Sequence, residues 1–309
     1  MSTEPVDVVA QLGFETDIGR LRHEIDAWVA EADPEMRPLL QWQFQGRSKY
    51  FRPLTIFSCY HAIYQGPIPP ALVRSACVLE MFHNVSLIVD DILDQSRYRR
   101  GVLTAHARFG MLPALMASGY IVADGYRIIQ RDPHDIRLLT ELLKRLGVAE
   151  CLQWRLRRQP LGVEDWRRIA GEDTGSMFEV CACLGTRTEE LRRFGNLLGV
   201  LYHACDDVGD VRGAAALGGG GEEDIRDGIL TLPAALAIRD PRIAAIFTNP
   251  QPGLDDTRTL TDAFRAGLPE SEAYLDRIAE EASAEARSVA PNPAPLLALV
   301  HQTRQLSQR

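Results

Sequence analysis

Lysine is nearly missing from this chain: Lys49 and Lys144 are the only two among 34 basic residues in 309. Arginine carries almost all the positive charge, so the place of each lysine is informative. Acidic residues number 42 and the net charge is -8, with a pI near 5.5. That balance excludes the basic surface a nucleic acid requires, and no run of basic residues marks an anionic membrane. A polyanionic small substrate would need cations gathered locally. No stretch reaches the length of unbroken apolar sequence that spans a bilayer, and Met1-Ser-Thr-Glu-Pro-Val-Asp7 has neither a basic region nor an apolar core of a signal peptide. A soluble, cytoplasmic protein is expected. The six cysteines, Cys59, Cys77, Cys151, Cys181, Cys183 and Cys205, offer no C-x-x-C zinc spacing. They sit in apolar helical patterns and read as reduced core thiols. Aromatic residues make up only 7%.

The remaining composition, 46% hydrophobic and 25% charged in 34.4 kDa, is that of a globular chain with a substantial core. Period-3.6 patterning recurs and no two-residue alternation is convincing, so an all-α fold is predicted, as a single domain over 1–309. Ile18, Leu21, Ile25, Trp28 and Val29 mark a first amphipathic helix. Pro53 suits the first turn of a helix to Tyr64, and a long helix is expected from Ala71 into Asp94. Pro113 and Pro133 should open the next two. Glu164 to Leu184 reads as one helix kinked near Gly171 and Thr174-Gly175. Thr186-x-x-Glu189 looks like the capping box of the following helix. Gly218 to Gly221 reads as a connector or a lid, ahead of a helix from Thr231.

Two acidic clusters share one spacing, Asp90-Asp91-Ile-Leu-Asp94 and Asp206-Asp207-Val-Gly-Asp210. On a helix, carboxylates at i, i+1 and i+4 fall within about 100° of arc, so each cluster presents its anions from one side. The stripe of Leu72, Ala76, Leu79, His83 and Leu87 continues in register onto Asp90 and Asp94, placing the anions on the face expected to be buried. Burying unpaired carboxylates is prohibitive, which leaves bound metal or protonation. Carboxylates without interspersed histidines favour a hard cation such as magnesium, which shares its shell with phosphates. Two such clusters in a helical bundle suggest a pyrophosphate held through Mg2+ as a leaving group.

Four motifs then occur in order: Lys49-x-x-Arg52-Pro53; Glu80-Met-Phe-His83 running to Asp90-Asp91-x-x-Asp94 with Arg99-Arg100-Gly101 behind; the second cluster; and Asp227-Gly228-x-x-Thr231-Leu-Pro233. In these the chain resembles the trans-isoprenyl diphosphate synthases, the polyprenyl synthetase family of class I isoprenoid synthases, over roughly residues 40 to 240. The resemblance implies an antiparallel helical bundle around a deep apolar cavity, and a homodimer. It implies ionisation of an allylic diphosphate and attack on the cation by isopentenyl diphosphate. Asp90, Asp91, Asp94, Asp206 and Asp210 resemble magnesium ligands, with Asp207 in the same catalytic cluster. Lys49, Arg52, His83 and Arg100 resemble an isopentenyl diphosphate site, and Arg99 a contact to the allylic diphosphate. Arg forks and a lysine suit diphosphate oxygens.

The departures are equally specific. Where the family has lysines of the allylic site, this chain has Asp173 and Ile229, and the family's Phe-Gln before the second cluster is Tyr202-His203. Arg212 and Arg226 are candidates to replace the missing charge. His203 reads either as packing or as cavity lining, and His83 as a core histidine or a substrate contact. Val85 and Ser86 are small, so by resemblance the product has about fifteen to twenty carbons or more, unless Tyr120 or Tyr126 closes the cavity. Three activities remain open: a prenyltransferase, a class I terpene cyclase that needs no isopentenyl diphosphate, or a weakly active subunit that pairs with an active homologue. The retained Lys49, Arg52 and His83 favour the first.

Overall fold

The structure, a computed structural model, describes residues 8–45, 48–99, 101–213 and 221–308; Gly46, Arg47, Arg100 and the glycines 218–220 lie outside them. The described residues are helical as expected, apart from one short ribbon that the sequence reading missed. Two compact units are distinguished, Met1–Thr140 with Cys181–Glu189, and Glu141–Val180 with Glu190–Arg309.

In chain order the first unit holds α1 (Val8–Leu12), α2 (Glu15–Glu31), α3 (Arg37–Phe44), α4 (Phe51–Ile63), α5 (Pro70–Leu93), β1 (Tyr98–Arg99), β2 (Val102–Leu103), α6 (Ala105–Phe109) and α7 (Met111–Ile128), and it ends within α8 (Pro133–Leu156). Pro70 opens α5, where its missing N–H costs nothing. From Leu72 to Phe82 every residue of α5 except Arg74 is buried. By length and composition α5 passes for a membrane-crossing helix, yet 72% of its most apolar window is buried within the protein, as in a core helix. Gly125 lets α7 come close: a Cβ there would stand 2.5 Å from the Phe82 ring. Tyr126, one residue on, packs its ring 5.3 Å from Phe82 and bonds Thr140 through its hydroxyl at 3.0 Å. The ribbon pairs Arg99 with Val102 across Gly101, whose φ of 78° suits a residue without Cβ.

The second unit contains α9 (Val163–Glu172), most of α10 (Thr174–Thr186), α11 (Arg192–Arg212), α12 (Gly221–Asp227), α13 (Leu232–Ala237), α14 (Pro241–Phe247), α15 (Leu254–Ala266), α16 (Leu268–Val289), α17 (Ala294–Arg304) and a closing 3-10 turn (Gln305–Gln308). The helix predicted over 164–184 is broken rather than kinked, because Asp173 leaves helical geometry at φ -80°, ψ -100°. The capping box at Thr186 is also corrected. Helix α11 starts at Arg192 with no side-chain cap, while the Thr186 hydroxyl donates to Ala182 O and accepts from Thr188 N, closing α10. Thr231 does cap α13, accepting from Ala234 N at 3.3 Å. Among the thiols, burial pushes Cys77 and Cys205 up to about 12, but Cys151 is exposed and is not the core thiol expected.

Two glycines set how closely α11 meets α10. A Cβ at Gly195 would lie 2.4 Å from Phe178 O, and one at Gly199 2.7 Å from Gly175 Cα. Backbone cannot give way as a flexible side chain can, so Gly195→Ala is expected to lose about 1–3 kcal/mol in urea unfolding. Gly119→Ala, where a Cβ meets nothing within 4 Å, should be neutral or gain up to about 1 kcal/mol. Equal unfolding midpoints for the two variants would contradict this packing.

Candidate active site

The first cluster closes α5. Asp90 and Asp94, one turn apart, are half-buried, whereas Asp91, rotated about 100° from Asp90, points inward and is 3% exposed. The expectation that all three anions share one buried face is thus corrected: the middle one is buried and the outer two sit at the surface of the helix bundle. The buried Asp91 is met by Arg99 on β1, which donates to its Oδ1 at 2.7 Å. Burial pushes the Asp91 carboxyl above its ordinary value, and the Arg99 guanidinium pulls back only part of that rise. The ribbon itself is anchored where Trp42 Nε1 donates to Leu103 O at 2.9 Å, with Arg108 stacked on the indole at 3.6 Å.

Two turns before Asp90, His83 meets Arg52 at the start of α4, with the guanidinium 3.0 Å from Nε2. Arginine only donates, so Nε2 accepts and the ring proton sits on Nδ1. Lys49 is placed by its neighbours. Ser48 Oγ donates to the buried Glu80 at 2.9 Å and accepts from Tyr50 N at 3.1 Å, and Tyr50 takes the left-handed φ of 55° that lets α4 begin. The Lys49-x-x-Arg52 turn is therefore pinned to the helix that bears His83 and the first cluster. Ser86 Oγ bonds back to His83 O at 2.9 Å. Arg100 is outside the described residues.

In the second unit the same rotation recurs. Asp206 and Asp210 are half-buried, and Asp207 is 8% exposed. Asp207 Oδ2 accepts from Trp166 Nε1 and from Leu232 N, both at 2.8 Å, so it joins α9 to the first residue of α13. Burial pushes its carboxyl up, against the pull of His203 and these two donors. Gly199 and Gly175 allow the α9–α10 break to touch α11, and one turn later His203 meets that break. Its Nδ1 lies 2.9 Å from Thr174 Oγ1 and 3.6 Å from Asp173 Oδ2, and its Nε2 3.7 Å from Asp207 Oδ1. Burial lowers the His203 pKa, but Asp207, Asp173 and Asp206 together outweigh it and the net shift is upward. Asp173, where a lysine was expected, is thereby matched to an imidazole. Tyr202 packs its ring 5.4 Å from Phe178.

The candidate replacement cations are otherwise engaged. Arg226 bonds Asp227 at 2.9 Å, and Arg212 bonds Glu272 at 2.6 Å. Sequence reasoning missed Trp166 and Asp224, and placed Glu80 in a motif without giving it a role. Asp224 lines a small crevice with Asp207, Asp210, Ile229 and Phe264, and no spacing rule ties it to a cluster so far upstream. Asp132, His134 and Asp135 also bring ligand-type atoms within 4.8 Å of one another. Their charge is met by Arg187, at 2.8 Å from Asp132 and 2.7 Å from Asp135, so that group is an ion-pair knot.

The helical architecture, with one aspartate cluster on a helix of each unit, is that of the class I isoprenoid synthase fold. A polyprenyl synthase from Caulobacter crescentus CB15, solved with calcium and isoprenyl diphosphate, superposes with a TM-score of 0.86 over 100% of this chain and 99% of that one, at 22% identity. The family model for polyprenyl synthetase matches residues 33–258, and the chain belongs to that family of prenyltransferases. It is 26% identical to nonaprenyl diphosphate synthase of Mycobacterium tuberculosis over 96% of this chain and 94% of that protein. It is 28% identical to geranylfarnesyl diphosphate synthase of Methanosarcina mazei over 57% and 62% of the two chains.

Removing Arg99 would leave Asp91 buried without its guanidinium. Arg99 is partly exposed, so solvent screens some of the pair and Arg99→Met should cost about 1–3 kcal/mol at neutral pH. Because the folded pKa of Asp91 is raised, its charged form is the penalised one. The loss should therefore shrink as pH falls through that raised value and the carboxyl protonates. A loss that does not vary with pH in denaturant unfolding would contradict the assignment. Asp173→Asn should lower the His203 midpoint followed by imidazole NMR, since a stabilising anion is removed; an unmoved midpoint would refute the pairing.

Proposed function

We propose that this chain is a magnesium-dependent trans-prenyltransferase that condenses an allylic prenyl diphosphate with isopentenyl diphosphate. The observation that carries this reading is the Lys49, Arg52 and His83 group. A cationic anion site at the head of α4, joined through His83 to the helix that bears an aspartate cluster, has a use only if a second diphosphate binds beside the first. Arg52 would fork onto the isopentenyl diphosphate while still held by His83, Lys49 would add a point charge, and Arg100 would complete the site.

The outer carboxylates, Asp90 and Asp94 on α5 and Asp206 and Asp210 on α11, are hard oxygen donors at half-exposed positions and suit magnesium. Bound there, magnesium supplies Lewis-acid neutralisation of the allylic diphosphate as it leaves. Asp91 and Asp207 hold the geometry from inside through Arg99, Trp166 and Leu232 N. Arg99 reaches the allylic diphosphate only if it loosens its hold on Asp91. Tyr202 and His203 line the substrate side of α11, and Ser86 that of α5.

Product length should be set by the residues below the first cluster. Val85 and Ser86 leave room, while Phe82 and Tyr126 stand a turn further in, which favours products of about fifteen to twenty carbons or longer. Met111, Leu112, Leu115 and Met116 are exposed along one stretch of α7. So apolar a surface suits a second copy of the chain, and the homodimer reading rests on it. The thiols suit a reducing, cytoplasmic setting.

Incubation with magnesium and farnesyl or geranylgeranyl diphosphate should give longer prenyl diphosphates only when isopentenyl diphosphate is added. Hydrocarbon formed without the co-substrate would replace this reading with a terpene cyclase, and turnover only beside an active homologue would make the chain a regulatory subunit. Arg52→Gln should lower kcat/KM about a hundredfold, mainly through the KM for isopentenyl diphosphate. A loss confined to the allylic substrate's KM would overturn the assignment.

A further inference from the structure

Helix α11 ends on the residues that matter most to the second cluster. Asp210 lies in its last turn, and Gly213 terminates it with a left-handed φ of 73°. Helix ends fray unless their last turn is tied to something. Arg212 ties this one. Its guanidinium pairs with Glu272 Oε1 at 2.6 Å and donates to the carbonyl of Ser307. Glu272, near the start of α16, also takes Arg304 of α17 at 2.5 Å, and Ser307 Oγ donates to its two oxygens at 3.2 and 3.3 Å. Arg304 completes the set with Asp276 at 2.7 Å and Ser307 Oγ at 2.8 Å. Ser307 is fully buried, and the Cys205 thiol, one residue before Asp206, donates to Arg304 O at 3.9 Å.

We propose that Arg212, Glu272, Arg304 and Ser307 form a clamp that positions Asp206 and Asp210, so that the closing turn Gln305–Gln308 is part of the scaffold of the second aspartate cluster. Arg212 is then a positioning residue rather than a ligand for diphosphate. Its planar fork is used on a carboxylate and a carbonyl at once, a geometry lysine cannot reproduce. Arg212 reaches Glu272, sixty residues later, and Ser307, 95 residues later, so the chain's end acts on a cluster distant in sequence. This inference rests on the reading of Asp206 and Asp210 as magnesium ligands.

The test compares Arg212→Met and Glu272→Gln with Glu281→Gln, which breaks the Arg167–Glu281 pair of 2.5 Å in the same unit without touching the clamp. Amide hydrogen exchange over residues 206–213 should speed up about tenfold in the first two variants and stay unchanged in the third. The magnesium midpoint, read from tryptophan emission because Trp166 is bonded to Asp207, should rise severalfold in the same two variants. Arg212→Lys should recover part of the shift by keeping its charge against Glu272. Exchange and midpoints equal to those of Glu281→Gln, whatever the melting temperatures, would overturn the clamp. If the unaltered chain shows no response to magnesium, the metal reading fails. The exchange comparison needs no metal and still decides the clamp: faster exchange in the two variants supports it, and equal exchange overturns it.

Discussion

The buried middle carboxylate of each D-D-x-x-D cluster fixes what the rest of both helices can do. Asp91 and Asp207 each turn into their unit, and each is met there by fixed donors, Arg99 in one case and Trp166 with Leu232 N in the other. A helix has a single rotational setting once one of its side chains is tied inside. With i+1 committed inward, i and i+4 are left at the border of solvent, one above the other, where oxygen donors can share a cation. The cost of an unmatched buried carboxylate is several kcal/mol, more than any surface preference of the neighbouring aspartates, so the inward group governs.

Much of this was legible in the sequence. The 3.6-residue stripe predicted α5 and α11, the cluster spacing predicted three carboxylates on each, and the ordered motifs predicted the family. Which carboxylate is buried was not legible, because it depends on partners from other elements: a two-residue ribbon, an indole on α9 and a backbone N–H at the head of α13. A ribbon of two residues per strand carries no readable alternation, and Arg99 resembled a substrate contact by its motif. The Thr186 capping box failed for a related reason. Its hydroxyl is used six residues before α11 begins at Arg192, where it closes the preceding helix, and spacing alone does not say which helix a cap serves.

The altered charges around the second cluster form a consistent set. Asp173 and His203 differ together from the family pattern, and they are in contact with each other and with Thr174. An anion stands where the family has a lysine and an imidazole where it has a neutral amide, so the new carboxylate has a titratable partner beside it. Ile229 lines an acidic crevice with no such exchange. Positive charge around the second cluster is therefore scarcer than in the motif this chain resembles, and under the proposed function the outer aspartates would depend the more on bound cations to attract a diphosphate. Arg212, which the sequence offered as a substitute, is used to hold α11 in place.

The central claim is a division of labour, outer aspartates for metal and inner ones for structure. Its most direct test is a magnesium titration of Asp90→Asn and Asp91→Asn, each followed by tryptophan emission and by denaturant unfolding. The account predicts that Asp90→Asn weakens the magnesium response with little change in stability, and that Asp91→Asn changes stability while its magnesium midpoint stays near that of the unaltered chain. Loss of the magnesium response in Asp91→Asn at unchanged stability, with Asp90→Asn unaffected, would contradict it.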